Sequence, residues 1–383
     1  MLNNYKFTKS KELREKCHSL IPGGAHTYSK GDDQFPIESP SFIEKGDGSH
    51  VWDIDGNEFI DFGMGLRSVT LGYNYKPVID AVYEQIVKGT NFTRPSTIEM
   101  YTAEKMISLI KGMDMCKFAK NGSTVTTAAI KLARAYTGRD LVVRCAEHPF
   151  FSYDDWFIGS TSMDSGIPKA IKDLTLQFHF NDINSLIELF ERYPNQIACV
   201  ILEPATQIEP KNNFLQKVKE ECKKNGAVFI LDEMITGFRW HLNGAQAYYD
   251  VEPDLCTFGK GMANGFSVAA LLGKKEIMRL GSIYGEHDRV FLISTTHGAE
   301  NHALAACIKT IEEYEKNDVI GHIWRQGRKL IDGINKAKDE VGIGDYIEVI
   351  GLPCSPNIVY KDKNKNVSME FRTLFLQETI KRG

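Results

Sequence analysis

The sequence has no apolar run near the roughly 20 residues that a membrane-crossing helix needs, so no transmembrane role is expected. Its first residues, Met1-Leu2-Asn3-Asn4-Tyr5-Lys6, lack the apolar core of a secretory signal. None of its eight cysteines (Cys17, Cys116, Cys145, Cys199, Cys222, Cys256, Cys307, Cys354) forms a C-x-x-C pair. Single thiols in apolar contexts point to a reducing, cytoplasmic setting and not to a disulfide framework. His297 and His302 lack the i, i+4 spacing of a helical metal pair, so no metal site is expected. Charge of one sign is also missing. With 46 Lys+Arg against 50 Asp+Glu, the formal charge is −4 and no basic stripe stands out. That balance argues against a nucleic-acid or membrane-surface role, and Lys361, Lys363 and Lys365 read as a solvated turn. Internal repeats and low-complexity tracts are absent as well.

What remains is a chain of 383 residues, long enough for one large domain and a smaller one. Residues 1–20 read as a helix with Leu13, Cys17 and Leu20 on one face. Asp55-Gly56 is a hairpin signal between Val51-Trp52 and Phe59-Ile60. Helices follow at about 76–88 and 97–111. From Lys117 the pattern changes to strand–helix alternation, which predicts a mostly parallel sheet flanked by helices. Apolar runs at Lys117–Ala119, Leu141–Cys145, Ile197–Leu202, Ala227–Leu231 and Leu255–Phe258 read as buried strands. Helices are expected near 124–136, 183–192, 213–224, 300–315, 319–338 and 369–381. Val268–Leu272 follows Leu255–Phe258 too closely for a helical crossover, so it should pair antiparallel.

Four features interrupt this regular pattern. Lys260 sits between Gly259 and Gly261 just beyond a strand, where glycine allows close approach of backbone or ligand. Asn121-Gly122-Ser123-Thr124 opens a helix whose apolar face is Val125, Ala129, Leu132 and Tyr136. Its free N–H groups and positive dipole end suit a phosphate, though an ordinary cap by Ser123 or Thr124 explains the same residues. Phe150-Phe151-Ser152-Tyr153-Asp154-Asp155-Trp156 offers aromatic rings that could stack on a flat heterocycle or simply fill core. Glu203 and Asp232 end successive strands, where α/β sheets bind ligands. Phosphate cradle, aromatic plate, strand-end carboxylate and lysine together are the equipment of pyridoxal 5′-phosphate chemistry. Lys260 would form an imine with the cofactor, Asp232 would pair its ring nitrogen, and Phe150 would stack on its ring.

In these segments the chain resembles the class III aminotransferases of fold type I, and among them the glutamate-1-semialdehyde 2,1-aminomutase group. The resemblance is carried by Gly23-Gly24, Val51–Phe62, Lys120–Asp140, Leu202-Glu203-Pro204, Leu231–Arg239, Gly244-Ala245-Gln246 and Pro253–Gly265. It implies a seven-stranded, mostly parallel sheet in a large domain (61–300), with a smaller α+β domain. Residues 1–60 would contribute to that smaller domain, and residues 301–383 would form its C-terminal part, truncated by a strand and a helix that relatives have. It places Asn121, Gly122, Ser123, Phe150, Glu203, Asp232, Met234, Lys260 and Thr296 around the cofactor. Met234 would lie under the opposite ring face, and Thr296 would reach the phosphate in the partner subunit of a homodimer. Gapless matching selects Phe150 for the stacking position, with Phe151 and His148 as alternatives.

Departures from the aminomutase pattern fall at the phosphate loop, where Thr124 stands in the place of an acidic residue, and on the substrate side. Thr27 and Lys30 occupy the loop where the aminomutase has Ser and Arg, and a lysine cannot give the planar fork of an arginine. Arg67 is an extra cation, either for substrate or in a salt bridge. The expected partners are a small-molecule amino donor and a carbonyl acceptor. Two enzymatic outcomes share these residues, intramolecular amino transfer and transamination to a separate aldehyde or ketone such as a sugar derivative. A silent cofactor-binding relative, and a decarboxylase or racemase, are the remaining alternatives.

Overall fold

The computed structural model describes residues 5–284 and 288–383. The chain divides into two compact units, one of residues 1–76 and 324–383 and the other of residues 77–323.

The larger unit is built on a seven-stranded sheet. With β1–β3 assigned to Ile43–Asp47, His50–Asp53 and Glu58–Ile60 of the smaller unit, its strands are β4 (Met115–Ala119), β5 (Leu141–Cys145), β6 (Thr175–Phe178), β7 (Ile197–Leu202), β8 (Val228–Asp232), β9 (Leu255–Phe258) and β10 (Ala269–Gly273). Their order across the sheet is β4-β10-β9-β8-β7-β5-β6. β5 to β9 pair parallel, while β10 runs antiparallel to both β9 and β4. The antiparallel placement expected for 268–272 is therefore observed, and the sheet is the mostly parallel one that the strand–helix alternation predicts.

The parallel strands read as apolar runs because both of their faces are covered. All six residues of β7 are buried, as are all of β8 and β9. Helix Gly122–Thr137 packs over the sheet with Val125, Ala128, Ala129, Leu132 and Ala133 fully or almost fully buried. Small alanines at three of these positions let the helix lie close to the strands. Tyr136, expected on the same face, is instead 48% exposed. Within this sheet one strand, β6, has no counterpart among the runs predicted from sequence, and the same holds for two strands of the smaller unit, Ile347–Ile350 and Asn357–Tyr360.

The smaller unit carries the antiparallel sheet β1–β3 and a hairpin of β11 (Ile347–Ile350) and β12 (Asn357–Tyr360). The hairpin signal at Asp55-Gly56 is borne out, with Gly56 at φ 87°. Asp55 has a second use. Its two carboxylate oxygens accept the amides of Lys9 (2.8 Å) and Ser10 (3.0 Å), satisfying donors in the first turn of helix Thr8–Leu20.

Of the three glycines in helix Val319–Glu340, Gly327 and Gly333 have opposite environments. A Cβ at Gly327 would lie 1.6 Å from the carbonyl oxygen of Pro353, whereas one at Gly333 would meet nothing within 4 Å. Gly327→Ala should therefore lower stability by about 1–3 kcal/mol, because overpacking against backbone outweighs the helix-propensity gain. Gly333→Ala should raise stability by up to about 1 kcal/mol. Denaturation midpoints of the two variants check this, and an equal shift in both would contradict the close approach.

Candidate functional site

The sheet register brings the candidate residues of the larger unit to one end of the sheet. β10 runs antiparallel to both neighbours, so β4 and β9 point the same way. Ala119 pairs with Ala269, and Phe258 pairs with Ala270, so both strands exit at the same edge. Asn121-Gly122-Ser123 follows β4 there, and Lys260 follows β9. Asp232, the last residue of β8, pairs with Thr257 of β9, and Glu203 immediately follows β7. Phe150 lies five residues beyond β5. This is the carboxyl end of the parallel strands, the edge at which such sheets bind ligands.

Asp232 is 2% exposed. Its Oδ1 accepts two hydrogen bonds, from the Thr257 hydroxyl (2.9 Å) and the Met234 amide (3.0 Å). Among the described residues no hydrogen bond reaches Oδ2, which leaves that oxygen as the acceptor for a donor from outside the protein. Burial pushes the carboxyl up to about 6 from an ordinary 3.8, and the charge of Lys260 pulls against that shift. A buried carboxylate in this state gains from any cationic N–H brought to it. A protonated pyridine nitrogen is such a donor, so this environment fits pyridoxal phosphate. Thr257 was not singled out from sequence; its role follows only from strand register.

Neighbouring Glu233 faces another way, as successive strand-end residues do. Its carboxylate accepts from the Thr236 hydroxyl (2.5 Å) and from the amides of Ala245 (2.9 Å) and Gln246 (2.7 Å). It thereby pins the loop after β8 to Gly244-Ala245-Gln246. Burial pushes this carboxyl up to about 7.

The phosphate-loop candidates are shaped by a close approach. A Cβ at Gly122 would lie 2.9 Å from the Met234 sulfur, and one at Gly259 would lie 2.7 Å from it. Met234 thus packs between the start of helix Gly122–Thr137 and the residue before Lys260. Asn121 caps this helix, its Oδ1 accepting from the Thr124 amide (3.0 Å) and hydroxyl (3.1 Å). The cap is therefore Asn121 and not Ser123 or Thr124, because Asn121 alone has the extended backbone that turns its side chain onto the first turn. Among the described residues, the amides of Gly122 and Ser123 meet no acceptor. The Ser123 hydroxyl accepts from the Tyr153 amide (3.0 Å), which keeps its own proton available to an anion.

Of the three rings considered for stacking, His148 and Phe151 are 1% and 2% exposed, while Phe150 is 54% exposed. Only Phe150 offers a face to a ligand. Its edge rests on Phe157, with ring centroids 5.7 Å apart. His148 instead accepts the Glu203 amide at Nδ1 (2.9 Å), and burial lowers its pKa to about 4, so it is a neutral tie between β5 and β7. Glu203 is 3% exposed. Lys260 adopts a left-handed backbone (φ 44°), unusual for a residue with a side chain. Thr296 is exposed, and its carbonyl accepts from the Asn91 side chain (3.0 Å).

The three substrate-side candidates lie in the smaller unit. Thr27 and Lys30 are exposed, and Lys30 lines a cavity of about 890 Å³ with Arg14, Asp32, Phe62 and Ile380. Arg67 ends a left-handed turn in which Met64, Gly65, Leu66 and Arg67 have φ between 50° and 67°. Each non-glycine residue there costs roughly 1–2 kcal/mol. Asp61 holds the turn, accepting from the amides of Gly63 (2.7 Å) and Gly65 (3.3 Å) and from the Tyr73 hydroxyl (2.6 Å).

With this geometry in place, comparison with known proteins is informative. The model of the family "Aminotransferase class-III" matches residues 28–379. The 3-aminobutyryl-CoA aminotransferase of Cloacimonas acidaminovorans is 33% identical over all of this chain and 90% of its own length. A glutamate-1-semialdehyde 2,1-aminomutase of Francisella philomiragia is 35% identical over 86% of this chain and 78% of its own. Among solved structures, the FumI protein of Sphingopyxis sp. MTA144, determined with pyridoxal phosphate, superposes with a TM-score of 0.86 at 24% identity, covering 98% of this chain and 95% of that one. That last likeness bears on the fold, while the family match and the two relatives bear on descent: the chain belongs to the class-III aminotransferase family.

Proposed function

We propose that this chain is a pyridoxal 5′-phosphate-dependent aminotransferase that moves an amino group from a small-molecule donor to a separate carbonyl compound, with Lys260 as its catalytic lysine. The observation that carries the reading is Asp232, a nearly water-free carboxylate with one oxygen unclaimed, under the electrostatic influence of Lys260. Pyridoxal phosphate supplies an aldehyde that captures amines and a ring that accepts electrons. The protein does the rest. The Gly122 and Ser123 amides and the Ser123 hydroxyl bind the phosphate, assisted by the helix dipole. Phe150 and Met234 would pack against the ring. Asp232 Oδ2 would accept the ring N–H and keep that nitrogen protonated. Lys260 Nζ would take the proton from the amine-bearing carbon and give it to the cofactor's former aldehyde carbon, on the far side of the shared nitrogen. Thr296 would serve the partner subunit's site in a homodimer, and Thr27, Lys30 and Arg67 would recognise the substrate.

Intermolecular transfer is favoured because the substrate loop carries Lys30 where the aminomutase has arginine. The 3-aminobutyryl-CoA aminotransferase, a donor–acceptor enzyme by its name, also aligns with the whole chain. The aminomutase reading is supported by four named aminomutases that are 32–35% identical over 86–90% of the chain. The two are separated by adding amino donors, β-amino compounds and glutamate included, to cofactor-loaded protein. Loss of the visible cofactor band with one donor and no acceptor is the expected result. A band that no donor changes, with 5-aminolevulinate formed from glutamate 1-semialdehyde alone, would contradict intermolecular transfer.

Asp232→Asn should separate catalysis from stability. Without the carboxylate the ring nitrogen loses its proton's partner, and kcat should fall on the order of a hundredfold or more. Stability should move the other way in cofactor-free protein. The folded state retains a proton on Asp232 between pH 3.8 and about 6 that the unfolded chain has released, so burial of this group costs stability as pH rises through that window. Above pH 6 the cofactor-free variant should be more stable than wild type by about 1–3 kcal/mol, and the gain should vanish near pH 4. Urea denaturation at both pH values checks this; a cofactor-free variant less stable than wild type at pH 7.5 would contradict it.

A further inference from the structure

The stretch that carries Phe150 is tied to helix Gly122–Thr137 through three hydroxyls, those of Ser123, Thr126 and above all Thr127. Thr127 Oγ1 lies 2.5 Å from Asp154 Oδ2, 2.8 Å from the Trp156 indole nitrogen and 3.1 Å from the Ser152 hydroxyl. The donor directions follow from chemistry. An ionised carboxylate only accepts and an indole N–H only donates. Thr127 must therefore give its single proton to Asp154 and accept from Trp156. Its second lone pair faces the Ser152 hydroxyl, whose single proton lies between Thr127 Oγ1 (3.1 Å) and the Ser123 carbonyl (3.4 Å), and Ser152 Oγ in turn accepts the Asp154 amide (3.0 Å). Every position on the Thr127 oxygen is filled.

The surroundings make this arrangement hard to replace. Ser152 is fully buried and Trp156 is 5% exposed, so water is a poor substitute for either partner. Asp154 is the residue before the short helix Asp155–Ile158, yet its carboxylate does not cap that helix and is spent on Thr127. Two further bonds run in parallel, from the Tyr153 amide to Ser123 Oγ (3.0 Å) and from Thr126 Oγ1 to the Phe151 carbonyl (2.8 Å). Phe157, on which Phe150 rests edge-on, belongs to the helix that this network anchors. The distance between the phosphate-facing helix end and the exposed Phe150 ring is thus set by hydroxyls of residues 123, 126 and 127, and of these Thr127 holds the most partners on the stretch that carries Phe150.

We propose that Thr127 is a positioning residue that fixes the Phe150 ring against the phosphate-facing end of its helix, so that phosphate and ring of one cofactor are engaged at once. The inference rests on the cofactor reading given above. It predicts that removing the hydroxyl uncouples two contacts without touching Lys260 or Asp232.

The test is titration of pyridoxal 5′-phosphate into cofactor-free wild type, Thr127→Val, Thr127→Ser and Asp154→Asn, read by visible absorbance and by the circular dichroism induced in the bound cofactor. Hydrogen exchange over residues 150–157 in the cofactor-free proteins is the second readout. Thr127→Val strands three polar partners, and should weaken cofactor binding about ten- to hundredfold. It should also diminish the induced dichroism and speed exchange of the Tyr153 and Asp154 amides. Thr127→Ser, which keeps the hydroxyl, should stay within about threefold of wild type. If Thr127→Val does not fold, Asp154→Asn carries the test from the other end of the same bond. Wild-type affinity, dichroism and exchange in Thr127→Val, or in Asp154→Asn when it alone folds, overturn the proposal while leaving the cofactor reading intact. A wild type that takes up no cofactor overturns that reading and this proposal with it.

Discussion

The structure of the larger unit turns on a charged group kept from water. A carboxylate at the end of a buried strand is costly unless something compensates it. Asp232 is compensated only in part by the protein, through two donors on a single oxygen and the field of Lys260. The remaining deficit is what a cationic ligand nitrogen relieves. On the proposed function, the same burial that penalises the cofactor-free protein would help a bound ring nitrogen hold its proton, which is the condition for the ring to accept electrons. Stability given up at one residue is thereby converted into chemistry, a trade recurrent at functional sites.

The sheet topology exists in service of that residue. A central strand buried on both faces has no solvated side on which to place polar groups, so function collects at its carboxyl end. β10, running against its neighbours, is what returns β4 to the same direction as β9 and brings the helix at Gly122 to the edge that carries Asp232 and Lys260. The glycines at 122 and 259 then matter through what they admit. Both lie against the Met234 sulfur, and a methyl group at either would displace the side chain that lies between them. Glu233 completes the arrangement by fixing the loop that starts one residue after Asp232.

Much of this was legible in the amino-acid sequence, for a physical reason. β5, β7 and β9 are short, largely apolar runs bounded by turns, and their observed bounds are those read from the chain. The strand-end position of Asp232 and Glu203 followed from those bounds, as did the antiparallel return of β10. What escaped detection depends on contacts between distant segments. β6 is a four-residue edge strand, Thr-Leu-Gln-Phe, too short and too polar to stand out. Thr257 looks like any β-branched strand residue until register sets it beside Asp232. Thr127 and Asp154 lie 27 positions apart in loops and helices whose separate patterns say nothing of their bond. The left-handed turn at 64–67 contains one glycine among four residues, so composition alone gives no warning of its backbone.

The central claim is that one lysine, placed by β9 and its flanking glycines, takes the cofactor. It is tested most directly by loading the protein with pyridoxal 5′-phosphate, reducing it with borohydride and mapping the labelled peptide by mass spectrometry. The account predicts a single phosphopyridoxyl label on Lys260. A label on any other lysine, such as Lys120 or Lys30, or no label on a protein that has taken up cofactor, would contradict it.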